Sequence, residues 1–441
     1  MNRLSIFVAL LAVLFSGAKT FGKNEAIKLE RKVVEFKLSN GMKWLLVRRG
    51  EQPVFAGIIQ VKVGGIEEEE GKTGLAHMLE HMAFKGTKEI KSNELWDAFV
   101  TNGASNLNAY TSKDVTAYHA KMPASKLELW LYLNSEMIRH SVMREFNEER
   151  NVVIEELVSK VENDPQRKID RKLMETAFTK SPYKWQTIGS KDEVAALQPK
   201  DLEEFKKKYY APNRMVGAIA GDIDVEYTKT LIQKYFGAIT GPKNIIQNFP
   251  AEPQQKAERR AAVESKSSPL MMIAYHKPTF PNNDDNVFDL ITYMLCSGDN
   301  SRLVRKLVYD KKVARTVGCS SADPGSRLDN LFVIAAEPMK GHSYEEVEKL
   351  IEAELDDFKT SSVLPDELKK TINNVTKELL FGLSDNEGIA HSLAYYETVV
   401  SDWRYVTRHP AVLAKIKADE IMNVAMKYFV KENKTVVEIK K

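Results

Sequence analysis

Two histidines and a glutamate share one predicted helix. The stretch 74–87 reads GLAHMLEHMAFKGT and places His77 and His81 four residues apart. Side chains at i and i+4 of a helix project from one face, one turn apart, so both imidazoles can bind one metal ion. Glu80 borders the same face and can reach a water molecule without being a ligand. The order H-x-x-E-H therefore predicts a zinc site with Glu80 as its general base.

The third ligand must come from elsewhere, because catalytic zinc takes three protein ligands and keeps one position open. The predicted helix 144–162 contains the run EERNVVIEE. Glu149 and Glu156 are seven residues apart in it, so they lie on one face together with Val152 and Val153. Carboxylates on an otherwise apolar face are usually paired or metal-bound. We expect one of the two to bind zinc and the other to orient a histidine.

Less specific interpretations fit the same residues. Two helical histidines beside a glutamate also match a solvated surface cluster, and a glutamate-rich helix is usually a solvated face. We interpret Ile66–Gly71, which reads IEEEEG, as a solvated loop without chemistry.

Residues 1–22 have the pattern of a secretory signal peptide. Arg3 precedes the apolar run Leu4–Phe15, and small residues follow that run. A membrane span needs about 20 apolar residues, and this run is shorter. We predict cleavage and export, to the periplasm in a bacterium and otherwise into the medium, with no stable membrane span in the mature protein.

Cys296 and Cys319 are the only cysteines of the chain. An exported protein can form disulfides, but two cysteines do not make a disulfide framework. The two residues can pair or stay reduced, and we expect two buried thiols.

The composition excludes several classes of protein. The chain has 441 residues, 43% of them hydrophobic, and carries 64 Lys and Arg against 61 Asp and Glu. That length suits two or three domains with substantial cores. A net charge of +3 excludes a strongly basic nucleic-acid binder, so we expect no nucleic-acid partner.

The order of predicted elements indicates two related halves. The first half begins with a hairpin at Asn40-Gly41 and continues through strands and helices. From 237 to 265 the apolar periodicity fades among prolines and polar residues, which indicates an interdomain linker. A similar order of strands and helices then restarts. We predict an α+β fold formed by internal duplication, with domains at 23–236 and 266–441.

The stretch 74–87 resembles the zinc motif of the pitrilysin, or M16, family of metallopeptidases well beyond its five defining positions. The segment that contains Glu149 matches the family's E-R-N-type segment. Its register implies that Glu156 is the third zinc ligand, with Glu155 the near miss, and that Glu149 is the acid that orients a ligand histidine. The resemblance covers nearly all of the mature chain.

The run LNAYTS at 107–112 resembles the family's edge strand that pairs with the substrate backbone. This resemblance implies that Asn108 and Ala109 contact the substrate. The family fold is a pair of related α/β-roll domains that forms half of a peptidase chamber. The resemblance thus implies a zinc-dependent endopeptidase that hydrolyses peptides or unfolded segments inside the chamber.

One segment of the second half departs from the family pattern. Arg302 and Leu303 resemble its start, but the positions of a substrate-holding arginine and tyrosine are occupied by Val308 and Arg315, with Tyr309 one place off. The resemblance implies a zinc-bearing subunit that works with a related, zinc-less partner subunit. A homodimer, a non-catalytic structural or peptide-binding subunit, and a metallohydrolase that cleaves non-peptide esters are the alternatives.

Overall fold

The computed structural model describes residues 29–243, 245 and 247–440. The predicted signal peptide at 1–22 lies outside these residues. The strands are β1 (Val33–Lys37), β2 (Lys43–Arg48), β3 (Val54–Val61), β4 (Ser105–Thr111), β5 (Thr116–Pro123), β6 (Met215–Gly221), β7 (Arg259–Glu264), β8 (Met271–Lys277), β9 (Ala314–Asp323), β10 (Asn330–Pro338) and β11 (Lys434–Lys440).

Groups of helices lie between the strands in both halves. They are α1 (Leu75–Ala83), α2 (Ser92–Thr101), α3 (Leu127–His140), α4 (Phe146–Leu157), α5 (Pro165–Ala177), α6 (Lys191–Ala196), α7 (Pro199–Tyr209), α8 (Val225–Phe236), α9 (Asn283–Cys296), α10 (Tyr344–Thr360), α11 (Pro365–Phe381), α12 (Asn386–Val399), α13 (Tyr405–Leu413) and α14 (Ala418–Tyr428). Among the described residues, no helix combines the length and the apolar character that a membrane span requires.

The strands form two sheets of the same design. The first has the order β1-β2-β6-β3-β5-β4, and the second has the order β7-β11-β8-β10-β9. Strand pairs β2–β6 and β7–β11 are parallel, whereas the other neighbours are antiparallel. Five consecutive strands of the first sheet therefore match the whole second sheet in order and direction. This match confirms the predicted α+β fold and its internal duplication.

Both faces of each sheet are buried, because alternate residues of a strand point to opposite faces. In β2, Trp44 and Leu46 join the core that contains α1, α3 and α8, while Leu45 and Val47 join a second core on the other face. In β8, Met271 and Ile273 face one core and Met272 faces another. Each sheet therefore needs a helical layer on both sides.

The second layer of each sheet comes from the other half of the chain. Helix α12 packs on the first sheet, where Leu393 lies among buried residues of β2, β3 and β6. Helix α5 packs on the second sheet, where Leu173 lies in one core with Met272 and Val437. The two halves have thus exchanged helices, and each covers an apolar sheet face that the other would expose to water.

This exchange corrects the predicted domain boundaries in two ways. Neither 23–236 nor 266–441 contains all the helices that bury its own sheet. Strand β7 (Arg259–Glu264) lies inside the predicted linker 237–265 and forms an edge of the second sheet. Its side chains alternate between half-buried and exposed positions. The strand therefore carries many polar residues, which explains why its sequence resembles a linker.

A buried ion-pair cluster also joins the halves. The side chain of Glu67 has no solvent exposure and pairs with Arg214 at 2.7 Å and with Arg327, from the second half, at 2.9 Å. Arg327 also donates to the main-chain oxygen of Asp114 at 2.8 Å. The interpretation of Ile66–Gly71 as a solvated loop is therefore wrong for its first residues, since a buried charge must be paired to be tolerated.

The expectation of two thiols is wrong as well. Cys296 and Cys319 form a disulfide with a Cα–Cα distance of 5.6 Å. Cys296 ends α9 and Cys319 lies in β9, and these two elements pack against each other. The helix and strand therefore bring together cysteines that are separated by 23 positions in the sequence.

Helix exchange predicts that a defect in α12 destabilises both halves. Leu393 is 0% exposed, whereas Leu364 at the start of α11 is 69% exposed. We expect Leu393→Ala to lower the free energy of unfolding by about 2–5 kcal/mol, and Leu364→Ala to change it by less than about 0.5 kcal/mol. Urea unfolding followed by far-UV circular dichroism measures both values. Loss of the first sheet in a separate, earlier transition in Leu393→Ala would show that the halves are independent.

Candidate metal centre

Helix α1 positions the H-x-x-E-H residues by burying its opposite face. Leu75, Met78, Leu79 and Met82 are buried in the first core, which leaves His77 and His81 half-buried on the other side of the helix. The helix begins after Gly74, whose φ of 90° suits only glycine at low cost.

The amino-terminal end of α1 is fixed by a buried carboxylate. Glu68 accepts hydrogen bonds from the main-chain N–H groups of Gly74 at 2.9 Å and Ala76 at 2.8 Å. Such bonds satisfy free N–H donors of the first turn. Glu68 is part of the run IEEEEG. Its role in capping α1 was missed because this run of charged residues is typical of a solvated loop.

The second helix of the site, α4, brings a carboxylate to both histidines. Oε2 of Glu156 lies 3.3 Å from Nε2 of His81 and 3.9 Å from Nε2 of His77. One ligand atom from each of the three residues lies within 4.8 Å of the others. Glu155 is exposed on another face of α4. The structure therefore brings together His77, His81 and Glu156, the set that the register of the sequence predicts.

Glu149 contacts the far side of the His81 ring. Its Oε1 lies 2.7 Å from Nδ1 of His81, and its Oε2 lies 2.5 Å from Nζ of Lys85. A carboxylate can only accept hydrogen bonds, so Nδ1 of His81 must carry the proton. This arrangement leaves Nε2 directed at Glu156, which is the tautomer that a metal ligand needs.

Glu80 lies beside this group and is held by the sheet. It is almost fully buried, and its Oε2 accepts a hydrogen bond from the hydroxyl of Thr111, the last residue of β4, at 2.6 Å. Burial raises the pKa of the Glu80 carboxyl to about 7, although the Thr111 bond opposes this shift. A carboxyl with this pKa can exchange a proton near neutral pH.

The electrostatics of the three converging residues favour a cation between them. Burial opposes a charge on His81, but its hydrogen bonds to Glu149 and Glu156 outweigh burial and raise its pKa to about 9. The hydrogen bond from His81 likewise lowers the pKa of Glu156 to about 2. Burial, helped by the nearby charge of His81, lowers the pKa of His77 to about 4, so His77 stays a neutral donor.

These residues fit a zinc ion by type and by spacing. Two imidazole nitrogens and one carboxylate oxygen form a donor set found in catalytic zinc sites. Ligands at ~2.0–2.1 Å from a tetrahedral centre lie about 3.3 Å apart. The separations of Glu156 Oε2 from the two Nε2 atoms, 3.3 and 3.9 Å, are close to that value before any adjustment.

Strand β4 forms the edge of the first sheet beside the site. It pairs with β5 on one side, and no other described strand pairs with its other side. Asn108 and Ala109 lie in this strand, and the N–H of Ala109 donates to Oδ1 of Asn108 at 2.9 Å. The structure therefore places both residues on an edge that a further strand can join, as their sequence position predicts.

The segment of the second half that differs from the family pattern begins at Arg302 and makes contacts of its own. Arg302 donates to Glu367 at 2.8 and 2.7 Å and to Asp357 at 2.8 Å. Val308 lies in the π-helical turn Val304–Asp310, and the side chain of Arg315 is 69% exposed. Arg302 is thus engaged in ion pairs within its own half.

Three residues at the centre were missed by sequence reasoning. Lys85 contacts Glu149, and Lys160 contacts Oε1 of Glu156 at 2.8 Å. Each lysine stands four residues after a site residue, so helical spacing is the signal that could have found them. Thr111 has no such signal, since its contact with Glu80 depends on how β4 packs against α1.

Two family models match the chain. Residues 46–191 match the model described as Insulinase (Peptidase family M16), and residues 196–375 match the model described as Peptidase M16 inactive domain. His77, His81 and Glu156 all fall in the first range.

Two proteins described as proteases are similar to most of the chain. The zinc protease PqqE of Helicobacter pylori is 29% identical over 394 residues, which are 87% of this chain and 88% of that protein. The crystal structure of a protease from Helicobacter pylori, 28% identical, superposes with a TM-score of 0.88 over 93% of this chain and 99% of that one.

A longer relative shares the fold. The crystal structure of the periplasmic protease PqqL from Escherichia coli, 16% identical, has a TM-score of 0.77 over 93% of this chain but only 47% of that chain. This chain thus spans about half the length of PqqL. The two family models, the fold and these relatives show that the chain belongs to the M16, or insulinase, family of peptidases.

Proposed function

We propose that the chain is a zinc-dependent endopeptidase, with zinc held by His77, His81 and Glu156. The observation that carries this proposal is the convergence of these three residues beside the buried carboxyl of Glu80. The name of the Helicobacter pylori relative, a zinc protease, supports it. The alternative is a non-catalytic, structural or peptide-binding subunit of the same family.

The roles of the residues follow from their positions. Zinc bound here would polarise a scissile carbonyl and lower the pKa of a water molecule. Glu80 would accept a proton from the water and later donate it to the leaving amine. Glu149 accepts the Nδ1 proton of His81, which orients Nε2 toward Glu156, and Lys85 holds Glu149 in place. His81, Glu149 and Glu80 are therefore each positioned by a further contact, to Glu149, Lys85 and Thr111 respectively.

The substrate class follows from the edge strand. A peptide that adds to β4 as a further strand would be held by main-chain hydrogen bonds near Asn108 and Ala109. Main-chain contacts are the same for most residue types, so broad tolerance of side chains is expected. Only an extended, unfolded segment can pair in this way. We therefore infer that the substrates are peptides or unfolded segments of proteins.

Export agrees with two features of the chain. Residues 1–22 have the pattern of a signal peptide, and the Cys296–Cys319 disulfide is typical of oxidising compartments. The relative PqqL is a periplasmic protease. We infer that the mature protein is exported, to the periplasm if the host is a bacterium.

A second subunit would complete the chamber. The chain matches only about half of PqqL, which is long enough for two such units. Val308 and Arg315 stand where the family has a substrate-holding arginine and tyrosine. We infer a zinc-bearing subunit that works with a related, zinc-less subunit supplying that pair, and a homodimer is the alternative.

The two neighbouring glutamates of α4 provide a matched test of the ligand set. Glu156→Gln removes the negatively charged ligand. We expect the zinc affinity of this variant to fall by more than about 100-fold, which exceeds the loss typical of mutating a residue that only hydrogen-bonds to a ligand. Glu155→Gln changes an exposed side chain next to it and should leave the affinity unchanged. Competition with a chromophoric chelator measures both. Equal affinities in the two variants would remove Glu156 from the site.

Removal of the base should separate metal binding from turnover. Glu80→Gln keeps the shape of the side chain but cannot accept a proton. We expect zinc content to stay at the wild-type level and kcat on a fluorogenic peptide to fall by about 10²–10⁴-fold. Cleavage by this variant at the wild-type rate would show that Glu80 is not the general base.

Mixing experiments test the split between subunits. We expect the purified chain to bind zinc but cleave peptides poorly alone, and to become active when a zinc-less M16 subunit with the arginine and tyrosine is added, because a productive site needs both sets of contacts. The same mixture made with Glu80→Gln should be inactive, which assigns the chemistry to this chain. Full activity of the chain by itself would contradict the requirement for a partner.

A further inference from the structure

A single hydrogen bond connects the edge strand to the proposed general base. The hydroxyl of Thr111 donates to Oε2 of Glu80 at 2.6 Å, and both residues are buried. The same hydroxyl lies 3.5 Å from the main-chain oxygen of Ala76 and 3.5 Å from the hydroxyl of Thr116. The much shorter distance shows that the Glu80 carboxylate is its main acceptor.

The position of Thr111 in the strand links this hydrogen bond to the proposed peptide-binding edge. Thr111 ends β4, two residues after Ala109, and pairs with Thr116 of β5. In a strand, residues two apart point to the same face of the sheet. Ala109 and Thr111 therefore share the face that packs against α1, and the main chain that would align a peptide continues directly into the residue that holds Glu80.

A buried carboxylate needs such a partner to have one defined position. Glu80 has three rotatable side-chain bonds, and a hydrogen bond from a neutral hydroxyl to a carboxylate is short and strong. The β-branched side chain of threonine has a restricted χ1, so its hydroxyl is itself fixed by the strand. The strand can therefore set the orientation of the carboxyl plane.

We propose that Thr111 is a positioning residue for Glu80, so that the strand that aligns a peptide also places the base that acts on it. This inference rests on the proposed peptidase function and adds a residue to it. Thr111 would not touch zinc and would not hold the peptide through its side chain. Its loss should therefore lower kcat while leaving KM and zinc affinity unchanged.

The test compares three variants in the form of the enzyme that cleaves peptides, alone or with its partner. Thr111→Val removes the hydroxyl and keeps the shape, and we expect kcat to fall by about 10- to 100-fold, the cost of a misplaced catalytic group. Thr111→Ser keeps the hydroxyl and should restore most of the rate. Thr116→Val removes the neighbouring hydroxyl, which donates to the main-chain oxygen of Val63 at 2.9 Å, and should leave kcat unchanged.

Two binding measurements test whether Thr111 instead contributes to zinc binding or to peptide binding. Chelator competition should give the same zinc affinity for Thr111→Val and wild type. Peptide affinity, measured in a Glu80→Gln background with and without Thr111→Val, should also be the same. If Thr111→Val unfolds at a lower temperature, Thr111→Ala repeats the comparison without the branched side chain.

Three results would overturn the inference. These are an unchanged kcat in Thr111→Val, a failure of serine to restore the rate, and a parallel loss of zinc or peptide affinity. If wild type and Thr111→Val bind zinc and cleave peptides equally well, only the proposed role of Thr111 is wrong. A wild-type chain that does neither would overturn the peptidase function, and the role of Thr111 with it.

Discussion

One imidazole held between two carboxylates determines the geometry of the metal centre. His81 directs Nδ1 to Glu149 and Nε2 to Glu156, and the first contact spans 68 positions of the sequence. The two glutamates stand two turns apart on α4, a rise of about 10 Å. A ring with nitrogen atoms on opposite sides fits between them only if α1 and α4 pack in one register. Phe146 and Val153 of α4 are buried in the same core as Leu79 and Met82 of α1, which holds the two helices together.

The same contact concentrates charged groups around the proposed metal site. Glu149 and Glu156 are both held ionised, and His77 is too buried to carry a charge of its own. Two partly buried carboxylates on one helix face need positive charge nearby. Lys85 and Lys160 supply some of it at the outer oxygens. The proposed divalent ion would lie at the inner position, where one ligand atom each of His77, His81 and Glu156 converge.

The exchange of α5 and α12 gives the centre a rigid support. The sheet that carries β4, and with it Thr111, is covered on its far side by a helix of the second half. The cluster of Glu67, Arg214 and Arg327 joins the halves next to the loop that leads to α1. The exchanged helices and these buried ion pairs therefore oppose movement of one half of the chain against the other.

The sequence alone predicts which residues could bind a metal ion, but it does not predict how the elements around them pack. Helical spacing is a local property, so His77, Glu80 and His81 could be placed on one face without the fold. The same spacing put Glu149 and Glu156 on one face but could not choose between them, and the choice depended on the family register. The helix exchange, the disulfide and the bond from Thr111 to Glu80 arise from contacts between distant elements, and no local pattern encodes such contacts.

Anomalous diffraction at the zinc edge, from crystals of the wild-type chain grown with zinc, tests the central claim most directly. The expected result is one peak bounded by His77, His81 and Glu156, with Glu80 beside it. Crystals that show no peak among these residues would contradict the assignment of a metal centre.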